Sequence, residues 1–461
     1  MFHRYLSFLL SLILLFTFVN PVYAQQSTDT YPVYIVESGD TFNSIAQKFD
    51  VSVNDLMAVN NIADLNFLNI GMRINIPGYP GVTGVLQIKT LNVGETFSSF
   101  SSKYDISPSQ LAQLNKITSP TSLFAGSELI VPVNEDQKDF PSPSSISQLS
   151  LIESSMVFNH NPWSTLLKNS ISSSWDLLPG DDYFPVSQND ENNSSNNLIK
   201  DISINPFPLI QGSTEVIHIQ TNRPASITAN LSGHQIGFFK LGENDYYAFE
   251  GIHALDQIGL KNLDISATED SVVKTIISQP VLLKAGIFIN ETVNGVDSNS
   301  VDPKAIEEED NILKSISNTS AEKLWDGPFD YPVDEPCLGS TFGNRRTYND
   351  GALNYYHTGV DFSVCANNLN IYAVAPGTVI FTGMLPTKGN YTLIDHGWGV
   401  YTGYAHQSEF KVQVGDHVSK RQIIGQIGTT GRSLGPHLHW EVWVNHIPVD
   451  PLPWLEGKYL K

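Results

Sequence analysis

Two short strings near the C-terminus bring together side chains able to hold a metal ion: His-Thr-Gly-Val-Asp at 357–361 and Gly-Pro-His-Leu-His-Trp at 435–440. They supply His357, Asp361, His437 and His439. That is three metal-grade ligands and one spare imidazole, the allotment of a catalytic zinc that keeps a coordination position open for water. Either string alone is ordinary for surface histidines on a sheet. Together they stand out, because seven of the twelve His fall within the last 125 residues.

Local chemistry says how these residues are presented. Gly359 and the β-branched Thr358 and Val360 argue against a helix, so 356–364 is predicted as a strand edge. On a strand, i and i+4 share a face, and His357 and Asp361 can address one ion. His437 and His439 are two apart, so both imidazoles face one way while Leu438, Trp440, Val442 and Val444 face a core. A zinc held by neutral imidazoles and one carboxylate stays electrophilic, acidifies its water and polarises a peptide carbonyl. What remains is a base for the water's proton and a donor for the oxyanion, and imidazoles suit both. The chain has no His-Glu-x-x-His, which excludes the zinc peptidases with a helical glutamate base as a template.

Residues 337–455 resemble a lysostaphin-type zinc metallopeptidase domain. The matching strings, in order, are Gly-Ser-Thr-Phe-Gly-Asn-Arg-Arg (339–346), Tyr-His-Thr-Gly-Val-Asp-Phe (356–362), Ala-Pro-Gly-Thr-Val (375–379), Asp-His-Gly-Trp-Gly-Val-Tyr (395–401), Tyr-Ala-His (404–406) and Gly-Pro-His-Leu-His-Trp-Glu (435–441). The resemblance implies a mostly antiparallel β domain with one Zn2+ per chain on His357, Asp361 and His439. It also implies His406 and His437 as the unliganded catalytic imidazoles. The usual Tyr-Ala-His-Leu continues here as Gln407, a departure in local packing only. His396 and His417 sit in turn-like sequence and are expected to be structural.

The elements upstream would deliver this domain. Residues 1–24 begin with His3 and Arg4, run apolar from Tyr5 to Val19 and end in Pro-Val-Tyr-Ala, the pattern of a secretory signal peptide. Removal of that segment would leave an extracytoplasmic chain with no membrane partner. In an oxidising compartment Cys337 and Cys365 are expected to pair, with two buried thiols as the alternative. The net charge of -21 lies upstream, since residues 337–461 hold nine Lys plus Arg against eight Asp plus Glu. No basic stripe exists to neutralise phosphates, which excludes a nucleic-acid partner.

The chain also repeats itself at an offset of 55: Gly39 with Gly94, Thr41 with Thr96, Leu56 with Leu111, Asn60 with Asn115 and Pro77 with Pro132. An ungapped repeat means two copies of one small module, each reading strand, helix, helix, strand. Residues 33–78 and 87–133 resemble the lysin motif (LysM), a βααβ module that implies binding to N-acetylated glycans such as peptidoglycan. The second copy has Asn92-Val93-Gly94-Glu95 where the first has a Ser-Gly-Asp turn. Residues 146–186 are read either as a degenerate LysM-like segment or as a Ser-rich linker, and 187–200, rich in Asn, Ser and acid, are expected to be a linker. Alternating stretches with turn signals over 201–290 predict an immunoglobulin-like β-sandwich acting as a spacer. Residues 291–336 are expected to be a linker with a short helix where Glu307-Glu308-Glu309-Asp310 is followed by Ile312, Leu313 and Ile316.

The whole is therefore expected to be a secreted zinc endopeptidase. It would hold peptidoglycan glycan through the LysM modules and hydrolyse its cross-linking or stem peptides in the catalytic cleft. The alternative is a non-catalytic wall-binding regulator of a separate amidase, against which the intact ligand set argues.

Overall fold

The structure is a computed structural model, described over residues 31–134, 198–316 and 322–459 apart from positions 66, 96, 119–122 and 271. The expected leader, the degenerate repeat at 146–186 and most of the linker at 187–200 lie outside the described residues. Among the described residues no helix is long and apolar enough to cross a membrane.

The two N-terminal copies are built alike. In the first, Val33–Ile35 pairs antiparallel with Arg73–Asn75. Two seven-residue helices, Phe42–Lys48 and Val53–Val59, lie between these strands. Thr41 and Ser52 start them by accepting the backbone N–H of Ser44 and Asp55, the usual answer to unpaired N–H groups at a helix start. Phe42, Ile45 and Phe49, spaced three and four apart, are buried with Leu56. Asn60 latches the second helix to the returning strand: its Nδ2 donates to Leu56 O at 2.7 Å and Asn75 O at 2.8 Å, and its Oδ1 accepts Asn75 N–H at 2.7 Å.

Asn115 does the same in the second copy, donating to Leu111 O at 3.0 Å and Ile130 O at 2.8 Å and accepting Ile130 N–H at 2.6 Å. The offset of 55 thus preserves a hydrogen-bond device as well as a pattern. The second copy is further tied to the middle region. Gly94 N–H donates to Gln279 Oε1 at 2.7 Å, and Ala125 bridges to Val281.

The middle region consists of a four-stranded sheet, ordered 239–240, 245–251, 214–221, 199–205, and a five-stranded sheet, ordered 209–210, 272–284, 259–269, 226–231, 234–236. The inner faces share one core: Ile217, Ile219 and Ala248 from the first sheet meet Ala229, Ile265 and Val281 from the second. Alternating burial along Thr214–Thr221 reflects the period of two expected for a half-buried strand.

The stretch expected as a linker is structured. Asn290–Val293 forms a parallel pair with Arg345–Tyr348, which pairs antiparallel with Leu353–Tyr356. Pro303–Ile316 is a 14-residue helix. Within its charged run, Glu307 and Glu308 are exposed while Glu309 is buried on the same face as Leu313.

Beyond it, an antiparallel sheet runs Cys337–Ser340, Val360–Ser363, His437–Val444, Val400–Ala405, Gly389–Asp395, Gly377–Leu385 and His417–Val418, with Ile447–Val449 added beside His437–Val444. Leu438, Trp440, Val442 and Val444 are all fully buried beneath the central strand, as the alternation predicts. Cys337 and Cys365 form a disulfide. It ties the edge strand to the second residue beyond Val360–Ser363.

Candidate metal centre

Neighbouring strands set the site. In the register between Val360–Ser363 and His437–Val444, Asp361 lies directly opposite His439 and Ser363 opposite His437. His439 is also opposite Ala405, so His406 follows at the end of the next strand. His357 ends the hairpin arm Leu353–Tyr356 and enters from the side. Between His357 and Asp361 the chain passes so close to its neighbour that a Cβ on Gly359 would meet Trp440 O at 2.3 Å. Only glycine permits that approach.

The donor atoms of His357, Asp361 and His439 lie within 4.8 Å of one another. His357 Nε2 is 3.0 Å from Asp361 Oδ1 and 2.9 Å from His439 Nδ1, and His439 Nδ1 is 2.9 Å from Asp361 Oδ1. Proton bookkeeping makes this arrangement informative. His357 Nδ1 is 2.8 Å from Thr341 O, a group that only accepts, so the proton sits on Nδ1 and the Nε2 lone pair points inward. His439 is turned the other way: its Nε2 is 3.1 Å from Glu441 Oε1, which leaves the Nδ1 lone pair inward. Two ring nitrogens and a carboxylate oxygen thus converge on one point. Such a donor set is complementary to a cation, and its N and O atoms suit zinc.

The remaining two imidazoles flank the triad. His437 donates Nδ1–H to Gly435 O at 2.8 Å, which turns its Nε2 toward Asp361 Oδ1 at 3.7 Å. His406 donates Nδ1–H to Thr430 O at 2.7 Å, and its ring lies 4.7 Å from that of His437 and 5.9 Å from that of His439. Both Nε2 atoms are free to accept a proton. The five groups line a cleft of about 510 Å3 with Arg346, Tyr348, Arg432 and the exposed Leu434.

Burial and neighbours tune these groups in opposite directions. Burial pushes His357 below the usual imidazole range, outweighing Asp361. Burial, with His437 and His439 adding repulsion, holds His406 well below it. Burial would raise Asp361, yet His357 and His439 keep its carboxyl well below the carboxylate range. Burial would also raise Glu441, but Lys388 and His439 hold it well down. His406 is accordingly neutral and Asp361 anionic, the states a base and a metal-binding carboxylate require.

Every site residue read from the sequence falls in this cleft. His396 instead sits in the core, its Nδ1 donating to Pro376 O and its Nε2 accepting from Thr402 Oγ1, both at 2.7 Å. His417 is an exposed edge residue beside Thr378. Sequence reading assigns no role to Arg346, Lys388 or Glu441. Arg346 donates to Asp361 Oδ2 at 3.1 Å, and Glu441 receives His439, Tyr391 and Trp443. Glu441 carries one available signal, a carboxylate at i+2 from His439 on the same strand face.

Residues 355–451 match the sequence profile of Peptidase family M23, and residues 34–77 and 90–132 match that of the LysM domain. The chain thus carries one domain of Peptidase family M23 preceded by two LysM domains. It is 38% identical over 123 residues to the peptidoglycan DD-endopeptidase ShyA of Vibrio cholerae, which is 26% of this chain and 28% of ShyA. It is 42% identical over 96 residues to the DD-carboxypeptidase/endopeptidase Mpg of Neisseria meningitidis, 21% of this chain and 22% of Mpg. The chain thus spans less than a third of the length of either relative. A crystal structure of a putative M23 peptidase from Pseudomonas aeruginosa aligns with 54% of this chain and 96% of that one, at 24% identity and a TM-score of 0.39.

Proposed function

We propose that the chain is an exported, zinc-dependent peptidoglycan endopeptidase. The observation that carries this reading is the convergence of His357 Nε2, His439 Nδ1 and Asp361 Oδ1. Zinc bound there supplies a Lewis acid that acidifies water and polarises the scissile carbonyl. His357, Asp361 and His439 hold it. His437 and His406 present lone pairs at Nε2, so either can take the proton of the attacking water. The imidazolium formed is then a donor for the oxyanion or for the leaving amine. The open cleft admits an extended peptide rather than enclosing a small molecule.

The names of the relatives support a DD cross-link as the bond cut, and the LysM domains support glycan binding. In this reading residues 1–24 are the export signal, 33–78 and 87–133 the wall-binding modules, 201–290 an immunoglobulin-like spacer and 337–455 the catalytic domain. Tethering to an immobile polymer raises the local substrate concentration seen by the peptidase. The test is to incubate purified protein with purified peptidoglycan, with and without chelator, and identify released muropeptides by mass spectrometry. Chelator-sensitive loss of cross-linked muropeptides is expected. Release of no fragment by zinc-loaded protein would overturn the reading.

A further inference from the structure

The segment upstream of the metallopeptidase domain, 290–316, sends two acidic side chains toward the metal centre, each through one cation. The first path starts at Glu291, which lies opposite Arg346 in the parallel pair. Arg346 Nε donates to Glu291 Oε2 at 3.0 Å, and its Nη2 donates to Asp361 Oδ2 at 3.1 Å and to Ser340 Oγ at 2.8 Å. Glu291 also accepts Asn344 Nδ2 at 2.6 Å, and the Asn344 carbonyl accepts the backbone N–H of His357 at 2.9 Å. One carboxylate thus braces two of the three ligands.

The second path starts at Glu309, 1% exposed in the middle of the helix Pro303–Ile316. Its Oε2 accepts the backbone N–H of Thr387 at 2.8 Å and of Lys388 at 3.2 Å, and its Oε1 accepts Thr387 Oγ1 at 2.6 Å. Lys388 Nζ is 3.1 Å from Glu309 and 3.2 Å from Glu441 Oε1, the same oxygen that His439 Nε2 meets at 3.1 Å. The Lys388 carbonyl in turn accepts the backbone N–H of His406 at 2.8 Å. One helix side chain therefore fixes the turn that carries both the cation behind His439 and the main chain of His406.

Charge balance shows what these acids do. Lys388 is enclosed by two carboxylates, and Glu441 divides one oxygen between Lys388 and His439. With Glu309 neutral, Glu441 is the remaining ion pair of Lys388, with Asp310 as a further acidic neighbour, and Lys388 draws that Glu441 oxygen away from His439. His439 then loses the partner that fixes its tautomer and points Nδ1 at the ion, and partners of this kind typically govern metal affinity by 10- to 100-fold. Burying a carboxylate in a helix otherwise opposes folding, so the place of Glu309 on the face of Leu313 needs such a use.

We propose that Glu291 and Glu309 are positioning residues of the metal centre, acting on Asp361 through Arg346 and on His439 through Lys388 and Glu441, so that the catalytic unit begins at residue 290. This rests on the zinc-peptidase reading above.

The test uses the full chain carrying Glu309→Gln, Glu291→Gln or, as a control on the exposed helix face, Glu308→Gln. Zinc affinity is measured by chelator competition, the ligand field by the d–d spectrum of the cobalt-substituted protein, and turnover at saturating zinc. Both buried-site variants should bind zinc about 10-fold or more weakly with an altered cobalt spectrum. At saturating zinc kcat should fall while KM holds, and Glu308→Gln should match wild type. Wild-type affinity, spectrum and kcat in both variants would overturn the proposal. So would a failure of both to fold, since the acids would then serve stability alone. A wild-type chain that binds zinc but releases no muropeptide would sink the functional reading while leaving the affinity and spectral comparison intact.

Discussion

His439 and Asp361 face each other across two antiparallel strands, with His439 Nδ1 2.9 Å from Asp361 Oδ1 and the far nitrogen of the same ring 3.1 Å from Glu441. His437, one strand position pair away, has its Nδ1 engaged by Gly435 and its Nε2 3.7 Å from the same carboxylate. The two imidazoles share a face but differ in which nitrogen they turn toward Asp361, and hence in what they can do.

That difference predicts separable losses. His439→Ala should lose bound zinc and activity together. His437→Ala and His406→Ala should keep near-stoichiometric zinc at saturating supply while turnover drops by about 100-fold or more. Metal content by elemental analysis beside turnover checks this. A metal-free His437→Ala at saturation, or one with wild-type turnover, contradicts the role division.

The convergence of the proposed ligands is legible in the sequence because a strand converts spacing directly into facing. His437 and His439 differ by one strand repeat, and His357 and Asp361 are held at i and i+4 around a glycine. The repeat of LysM modules is legible for a similar reason, since Asn60 and Asn115 perform one task at one offset. The paths behind the ligands are not. Glu309 meets Thr387 and Lys388 only through the docking of a helix on a distant turn, and no period in the chain encodes that meeting. Nothing in the composition of the acid run 307–310 sets the buried Glu309 apart from the exposed Glu307 and Glu308. The clue present was positional: Ile306, Glu309 and Leu313 fall on one helical stripe.

Gly359 offers a test of packing at the site. A Cβ there would meet Trp440 O at 2.3 Å and Glu441 Cγ at 2.9 Å, so the strand bearing Asp361 must move away from the strand bearing His439. Gly359→Ala should cost about 1–3 kcal/mol of stability. It should also weaken zinc binding, because the displaced strand carries a ligand. Urea midpoints and chelator competition read the two effects. An alanine variant equal to wild type in both would mean that the close approach relaxes freely.

Tethering predicts a split between binding and chemistry. Residues 25–84 hold the first LysM module, while the second is joined to the middle region through Gly94 and Ala125. Deleting 25–84 should weaken pull-down by insoluble peptidoglycan and leave cleavage of a short soluble peptide nearly unchanged. Equal loss of both would make the first module part of the catalytic unit.

Acid should destabilise the protein through His396. Its fully buried ring donates to Pro376 O and accepts from Thr402, and burial lowers its pKa from 6.5 to about 4. Between those values the unfolded chain takes up a proton that the folded chain refuses, so stability falls as pH drops from 6.5 toward 4 and is unaffected by this group above 6.5. The depression corresponds to roughly 3 kcal/mol. Glu215, pushed by burial up to about 8, acts with the opposite sign between pH 4.5 and 8, so the wild-type slope alone does not isolate His396. The difference between variants does. His396→Gln keeps a side chain able to donate and accept but removes the titration, and its urea midpoint should therefore fall less steeply than wild type between pH 6.5 and 4.5. Parallel slopes for the two proteins would show that His396 titrates alike in the folded and unfolded chains.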